Sequence, residues 1–481
     1  PESNMVYALR HSATGKSLLC GALPDHQGDF LVFQALHDAP HLQGRFGLLI
    51  TSRQSRQVPG GARVRMTPLR LAVGHDVLAL LEEHGELFLQ ARPLKPKPVC
   101  RGWNSWDYFT GSVSADDMYS NMRAARRLFG NRLKYLVIDA GWEPRWGDWV
   151  PNWKFPSGLR VFCRKTRAAG MIPGIWTAPA LVNRYTRLYR DHPEWFARDA
   201  AHQVASETLS YGPMSYLDIT HPEARQWVFD TYRRLRREGF EYFKVDFTQR
   251  ILKAKFFHDP TVGRGQLIRL IFSTIRQAIG DDAYLLSCGA PFQSVTGLVD
   301  AARVSDDIHN YWSHVLANTC DISSCWWLHR RAWNNDPDFA IARTRTTASS
   351  RHLNSVRPAT PFAYKPVWMN GREMNQEEMR CYLLLIYLSA GELFMGDDLP
   401  GLKPNGVAML RRLMQRPLRQ AARPLDLFES HAGLPSRFLA RELGRAVLGL
   451  FNWEEDPAEH CISLRDLGLP AKARIRDFWT G

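Results

Sequence analysis

A chain of 481 residues, 45% hydrophobic and 23% charged, is too long for one small domain and can bury one large core with at least one smaller one. No window of about 18 uncharged apolar residues occurs, which argues against a membrane span, and the opening PESNMVYALR lacks the basic-then-apolar order of a secretion signal. The net charge of +14 is dispersed in short clusters such as RRLRRE, 233–238, without a nucleic-acid motif, so it reads as solubility charge and argues against a nucleic-acid partner.

The eight cysteines, at 20, 100, 163, 288, 320, 325, 381 and 461, lack the paired spacing of a disulfide framework or zinc site, so reduced thiols and no metal are expected. A soluble protein is expected, cytoplasmic or exported after removal of a leader.

In chain order, DFLVFQAL (29–36), GRFGLLITSR (44–53), ARVRMTPLRLAVG (62–74) and GELFLQAR (85–92) are short alternating runs between Gly, Pro and Asp, the pattern of an antiparallel β domain. RPLKPKP, 92–98, can form neither ladder nor helix and closes an N-terminal β-rich domain with linker, 1–98. From 99 to 403 short apolar strands alternate with helical patterns. A helix over 115–129 opens at Ser114 with Asp117 three residues on, carries Met118, Met122, Ala125 and Leu128 on one side, and stops at Gly130. A second repeats the grammar, with Thr220 and Glu223 as capping box, Pro222 in the first turn and Gly239 at the end. Strands are predicted at 99–103, 134–139, 171–177, 240–246, 283–288, 300–305, 329–334 and 390–396. Eight strands alternating with helices point to an α/β chain with a (β/α)8 TIM barrel, although spacing alone also fits a doubly wound sheet. Residues 404–481 begin helical and then read as a C-terminal antiparallel β domain, so the barrel is expected to be flanked by β structure on both sides.

Charge appears where strands end. In FKVDF, 243–247, the period of two puts Phe243, Val245 and Phe247 on one face and Tyr242, Lys244 and Asp246 on the other. The apolar face suits the helix layer, so Lys244 and Asp246 point into the barrel near its C-terminal mouth, with Lys244 the obvious partner for Asp246. A purely structural pair explains that strand equally well. In VDAARVSDDIHNYW the same parity groups Arg303, Ser305 and Asp307 against Ala302, Val304 and Asp306, and in YLVIDAGW it groups Tyr135, Val137 and Asp139. Three inward aspartates at three strand ends are hard to read as packing. Two carboxylates across a small cavity are what retaining glycoside hydrolysis needs, one attacking the anomeric carbon and the other protonating the leaving oxygen, at roughly 5 to 5.5 Å. Lys244 would keep Asp246 ionised, while the acid should be raised by its negative neighbour. Tryptophans crowd the same strand ends: Trp103, Trp106, Trp142, Trp146, Trp149, Trp153 and Trp176, interleaved with Asp139, Asp148 and Asn152, a composition that suits a pyranose pocket.

RGWNSWD, LVIDAGW with GDW, FKVDF, SCGAP with ARVSDDI, WNNDPD and SAGELFMGDDL, in that order, resemble the α-galactosidases (melibiases) of glycoside hydrolase families 36 and 27, from about residue 99 to the end; AVLGLFNW and LRDLGL are similar to the terminal β-sandwich. The resemblance implies a retaining exo-α-glycosidase with Asp246 as nucleophile, Asp307 as general acid/base and Lys244 as a sugar hydrogen-bond donor. It further implies that Trp106, Asp139, Arg303 and Asp338 line the sugar subsite with Cys288 near it, that no metal or cofactor is needed, and that the substrate is an oligosaccharide or glycoconjugate. A homo-oligomer is compatible with it. The chain departs from the family at Asp139-Ala140, where two adjacent aspartates commonly grip the 4- and 6-hydroxyls of galactose, so Asp148 or another group must substitute. This leaves an α-N-acetylgalactosaminidase, a glycosidase for another sugar, a transglycosylase and a non-catalytic carbohydrate-binding protein as alternatives to α-galactosidase.

Overall fold

The computed structural model describes all residues except 1, 4, 26–28, 37–46, 53–55, 92–94, 359, 361–369, 471 and 481, so part of the expected 44–53 strand and of the 92–98 linker lies outside the described residues. Its centre is a parallel sheet of nine segments. In spatial order they are Asn334–Asp336, Ala301–Arg303, Tyr284–Ser287, Tyr242–Val245, Ile172–Thr177, Tyr135–Ile138, Arg101–Asn104, Leu393–Met395 and Phe339–Ala340. The first and last are consecutive pieces of one strand, split at Pro337-Asp338 where Asp338 takes φ +73°. That continuity closes the ring into a (β/α)8 TIM-like barrel. The seventh strand starts at Asn334, where the predicted one ends, because Trp326–Leu328 form a 3-10 turn ahead of it.

The floor of the barrel is aromatic. Tyr242 stacks on Tyr284 with centroids 5.3 Å apart and packs on Tyr135 and Phe394, and its hydroxyl donates to Glu392 at 2.9 Å. Gly102 makes room for this plug: a Cβ there would stand 2.5 Å from Phe394 and 2.6 Å from the Tyr135 carbonyl. Above the floor, the register sets Trp176, Lys244 and Leu286 side by side, so Lys244 forms the next layer and Asp246 the rim.

The helix Ala115–Phe129 has the predicted limits, with the Ser114–Asp117 capping box formed and Gly130 at φ 59°. The helix Pro222–Glu238 does not use the predicted box. Its cap is His221, the Thr220 hydroxyl donates to Asp218 at 2.6 Å instead, and Glu223 accepts from the Trp195 indole. The run GELFLQAR is not a strand either: Val77–Ala91 is a helix, opened by Asp76 accepting from the Leu78 and Ala79 amides and buried along Leu78, Leu81 and Phe88. Helical spacing of the large side chains outweighs the local alternation, and Phe88 packs against Trp327 beside the barrel.

Antiparallel sheets stand at both ends of the chain. Val6–Arg10, Ser17–Ala22 and Leu69–Gly74 form one, Glu2–Ser3, Leu31–Leu36 and Gly47–Ser52 another, and Arg423–Pro424, Arg437–Glu442 and Arg445–Leu450 a third. Among the described residues after Leu450 no further strand is formed. All eight cysteines are unpaired, and no helix among the described residues is long and apolar enough to cross a membrane.

Candidate active site

The charged residues of the strand ends meet at the barrel mouth, but not in the pairs that the sequence suggested. Lys244 Nζ lies 2.9 Å from Asp139 Oδ2, both side chains buried, rather than on Asp246. The strands explain this: Lys244 is one layer below Asp246 and level with the end of Tyr135–Ile138, from which Asp139 emerges. Asp139 is further held by Asn104 Nδ2 at 2.9 Å and by the amide of Ala140. Burial would lower Lys244, yet Asp139 overcomes it and the ammonium ends up above its ordinary range.

Asp246 is held instead by an indole and an amide. Trp176 Nε1 donates to Oδ2 at 3.1 Å and the Phe247 amide to Oδ1 at 2.7 Å. The strand stops at Val245, so parity fails at the next apolar residue. Phe247, expected among the helices, takes φ +58° and packs against Trp146 at 4.9 Å and Trp176 at 6.4 Å.

Asp307 has a matching clamp. Trp106 Nε1 donates to its Oδ2 at 3.1 Å and Arg303 to its Oδ1 at 3.0 Å. Its side chain is 41% exposed, open to the pocket, while Arg303 is buried and also contacts Asp336 at 3.1 Å and Asp338 at 2.6 Å. One guanidinium thus serves three carboxylates. Asp338 accepts from the Ile308 amide at 2.7 Å and is fully buried, so it braces Arg303 and the loop carrying Asp307 from behind.

Burial pushes Asp246 above the ordinary carboxylate range, with the charge of Asp307 adding to it and Lys244 and the Trp176 indole opposing. Burial would raise Asp307 too, but Arg303, with Lys244 and His309 further off, leaves it below that range. The rim therefore has the reverse of the expected pattern, because Arg303 and not Lys244 is the cation in contact with a rim carboxylate. The charge of Asp307 bears on Asp246, and both bear on the Cys288 thiol, so the two acids are neighbours at the barrel mouth.

Of the remaining predicted residues, Cys288 is buried beside Asp246, its amide donating to the Val245 carbonyl and its thiol raised by burial. Trp142 donates to the Trp176 carbonyl at 3.0 Å and packs on Trp149 at 6.1 Å, so both lie behind Trp176. Asp148 pairs with Arg145 through a backbone β-bridge and has Arg145 and Arg187 as its charged neighbours. Trp153 is 85% exposed.

Sequence reasoning missed three contributors. His309 Nδ1 contacts Asp107 at 2.8 Å, and Arg343 bridges Asp107 to Asp397, all four side chains buried. This charged cluster ties Trp106, through its neighbour Asp107, to the segment after Asp307; the signal was the last letter of RGWNSWD. Glu143 is buried in the loop after Asp139, and Tyr211, on the hairpin Ser206–Tyr216, stacks on Trp146, which packs on Trp176. Among the described residues no group of three or more His, Cys, Asp or Glu side chains is placed to hold a metal ion.

Residues 95–269 match the Melibiase family model. Alpha-galactosidase 2 of Pediococcus pentosaceus is 25% identical over 173 residues, 34% of this chain and 23% of that protein. Alpha-galactosidase AgaA of Geobacillus stearothermophilus is 28% identical over 259 residues, 50% of this chain and 31% of its own. These alignments span less than a third of the curated relatives. TtGalA, the α-galactosidase of Thermus thermophilus, solved with p-nitrophenyl α-D-galactopyranoside, superposes with a TM-score of 0.67 at 25% identity, covering 91% of this chain and 79% of that one. The resemblance to the melibiase clan carried by the motifs is thereby shown.

Proposed function

We propose that this chain is a retaining exo-α-glycosidase that releases terminal α-linked galactose from an oligosaccharide or glycoconjugate through a covalent intermediate on Asp246. The observation that carries the reading is the twin clamp: two carboxylates from different strand ends at the barrel mouth, each held by an indole N–H. The melibiase match and the likeness to the Thermus enzyme support the same activity.

In this mechanism Asp246 attacks the anomeric carbon while Asp307 gives its proton to the leaving oxygen, then takes one from the water that releases the sugar. Trp176 and the Phe247 amide aim the nucleophile. Asp307 must gain a proton first. A sugar filling the pocket strips water from its exposed carboxylate, which raises it, and Arg303 keeps Asp336 and Asp338 as partners when Asp307 becomes neutral. Lys244, anchored on Asp139, presents its remaining N–H groups to sugar hydroxyls. The barrel, 99–403, would be the catalytic domain, flanked by an N-terminal β domain, 1–98, and a C-terminal β-sandwich, 404–481.

Ala140 favours one second reading, an α-N-acetylgalactosaminidase or a glycosidase for another sugar. Aryl α-glycosides of galactose, N-acetylgalactosamine, glucose and arabinopyranose, assayed on the wild type beside Asp246→Ala, decide between them. Turnover of the galactoside that vanishes in the variant supports the reading; turnover of another sugar alone replaces galactose, and undiminished turnover by the variant removes Asp246 from its role.

A further inference from the structure

We propose that Glu143 and Tyr211 together read one sugar hydroxyl in this pocket, taking the place of the carboxylate that Ala140 lacks. The proposal rests on the glycosidase reading above and identifies which side chains supply its specificity.

Glu143 is four residues beyond Asp139 and 6% exposed. The loop between them is folded tightly. Gly141 takes φ +109° against Gly111, where a Cβ would stand 2.4 Å from a carbonyl oxygen, and Asn152 Nδ2 clamps the carbonyls of Gly141 and Glu143 at 2.8 and 3.0 Å. The turn therefore carries the Glu143 carboxyl back toward Asp139. There it accepts from backbone amides, its own and that of Gly141 at 3.2 and 3.4 Å, and from no side chain among the described residues. Lys154 lies close enough to lower it but donates its own hydrogen bond to the Gly111 carbonyl. Burial leaves the carboxyl raised to about 7.

Tyr211 comes from the hairpin Ser206–Tyr216. Its ring stacks on Trp146 at 4.6 Å, Trp146 packs on Trp176 at 5.2 Å, and Asn183 Nδ2 fixes its carbonyl at 3.0 Å. With the ring and backbone both anchored, the hydroxyl is aimed. It is buried without a hydrogen-bond partner among the described residues. The charge bearing most on it is that of Glu143, followed by Asp139, Asp307 and Asp246.

A buried hydroxyl without a partner, near a carboxyl bonded only to backbone amides, is costly. A sugar hydroxyl relieves both groups at once, since it donates to Glu143 and accepts from Tyr211. The lost aspartate at 140 would have been an acceptor in this same turn, one residue from Asp139. Asp148, the substitute suggested by sequence, has Arg145 and Arg187 as its charged neighbours.

The test measures kcat/KM for an aryl α-galactoside and its 2-, 3-, 4- and 6-deoxy analogues on the wild type, Glu143→Gln and Tyr211→Phe. Both variants are expected to lose about ten- to a hundredfold on the galactoside while matching the wild type on one shared deoxy analogue, in which the hydroxyl they read is already missing. Equal losses on every analogue, or no loss on the galactoside, overturn the proposal. Tyr211→Phe removes one oxygen and carries the test alone if Glu143→Gln fails to fold. If the wild type turns over none of the glycosides, the proposed function fails, and the same comparison is then made on binding of galactose and its deoxy forms by tryptophan fluorescence.

Discussion

Replacing Lys244 by Met leaves Asp139 buried without its cation. The side chains of this pair are 4% and 2% exposed at 2.9 Å, and Coulomb attraction at that separation is on the order of 6 kcal/mol for an effective dielectric of about 20. Desolvation of both ions cancels much of it, and removing one partner of a buried pair typically costs about 3–5 kcal/mol. Asn104 and the Ala140 amide still reach Asp139, so the loss for Lys244→Met should lie near about 3 kcal/mol. A double-mutant cycle makes the pairing explicit. Lys244→Met combined with Asp139→Asn should recover about 2 kcal/mol relative to the sum of the single losses, whereas Lys244→Met with Asp246→Asn should recover less than about 1 kcal/mol. Urea unfolding followed by tryptophan fluorescence measures all six proteins, the wild type, three single variants and two double variants. Stronger coupling to Asp246 than to Asp139, or none to either, would refute the assignment of the ion pair and the layering beneath it.

Arg303→Gln removes the cation that depresses Asp307, so its acid form persists to higher pH and the falling limb of the kcat/KM profile moves up; an unmoved limb contradicts the role given to Arg303. Arg343→Met leaves Asp107 and Asp397 buried without their shared countercharge, which should cost about 3–5 kcal/mol in urea unfolding; a loss under about 1 kcal/mol would mean the cluster is not a brace. Glu143, raised to about 7 by burial and faced by Lys154, Asp139 and Tyr211, accepts best when ionised. KM for the galactoside should therefore fall as pH rises through about 7, a dependence that disappears in Glu143→Gln.

The barrel was legible because its signals are local: a strand's period of two sorted Tyr242, Lys244 and Asp246 inward, and the Ser114–Asp117 cap marked its helix to the residue. The pairing of Lys244 was not, since partners are set by the stagger of neighbouring strands, which no single strand records. Parity also expires where a strand does, hence the misplacement of Phe247 once its backbone turns left-handed. The helix Val77–Ala91 was misread because GELFLQAR alternates locally, while the helical repeat of Leu78, Leu81 and Phe88 begins before that window. Tyr211 and Glu143 stayed hidden for a different reason. The two are 68 positions apart in sequence, on an inserted hairpin and a strand-end loop, and only the folded mouth of the barrel brings them together.

The central claim is that Asp246 forms the bond to the sugar and Asp307 moves the proton. Incubating the protein with a 2-deoxy-2-fluoro-α-galactosyl fluoride, which slows release of a covalent intermediate, and mapping the labelled peptide by mass spectrometry tests it directly. The account predicts one fluorosugar on Asp246, absent in Asp246→Ala and still present in Asp307→Asn. A label on Asp307, or turnover of the reagent to product of inverted configuration with Asp246 unmodified, would contradict it.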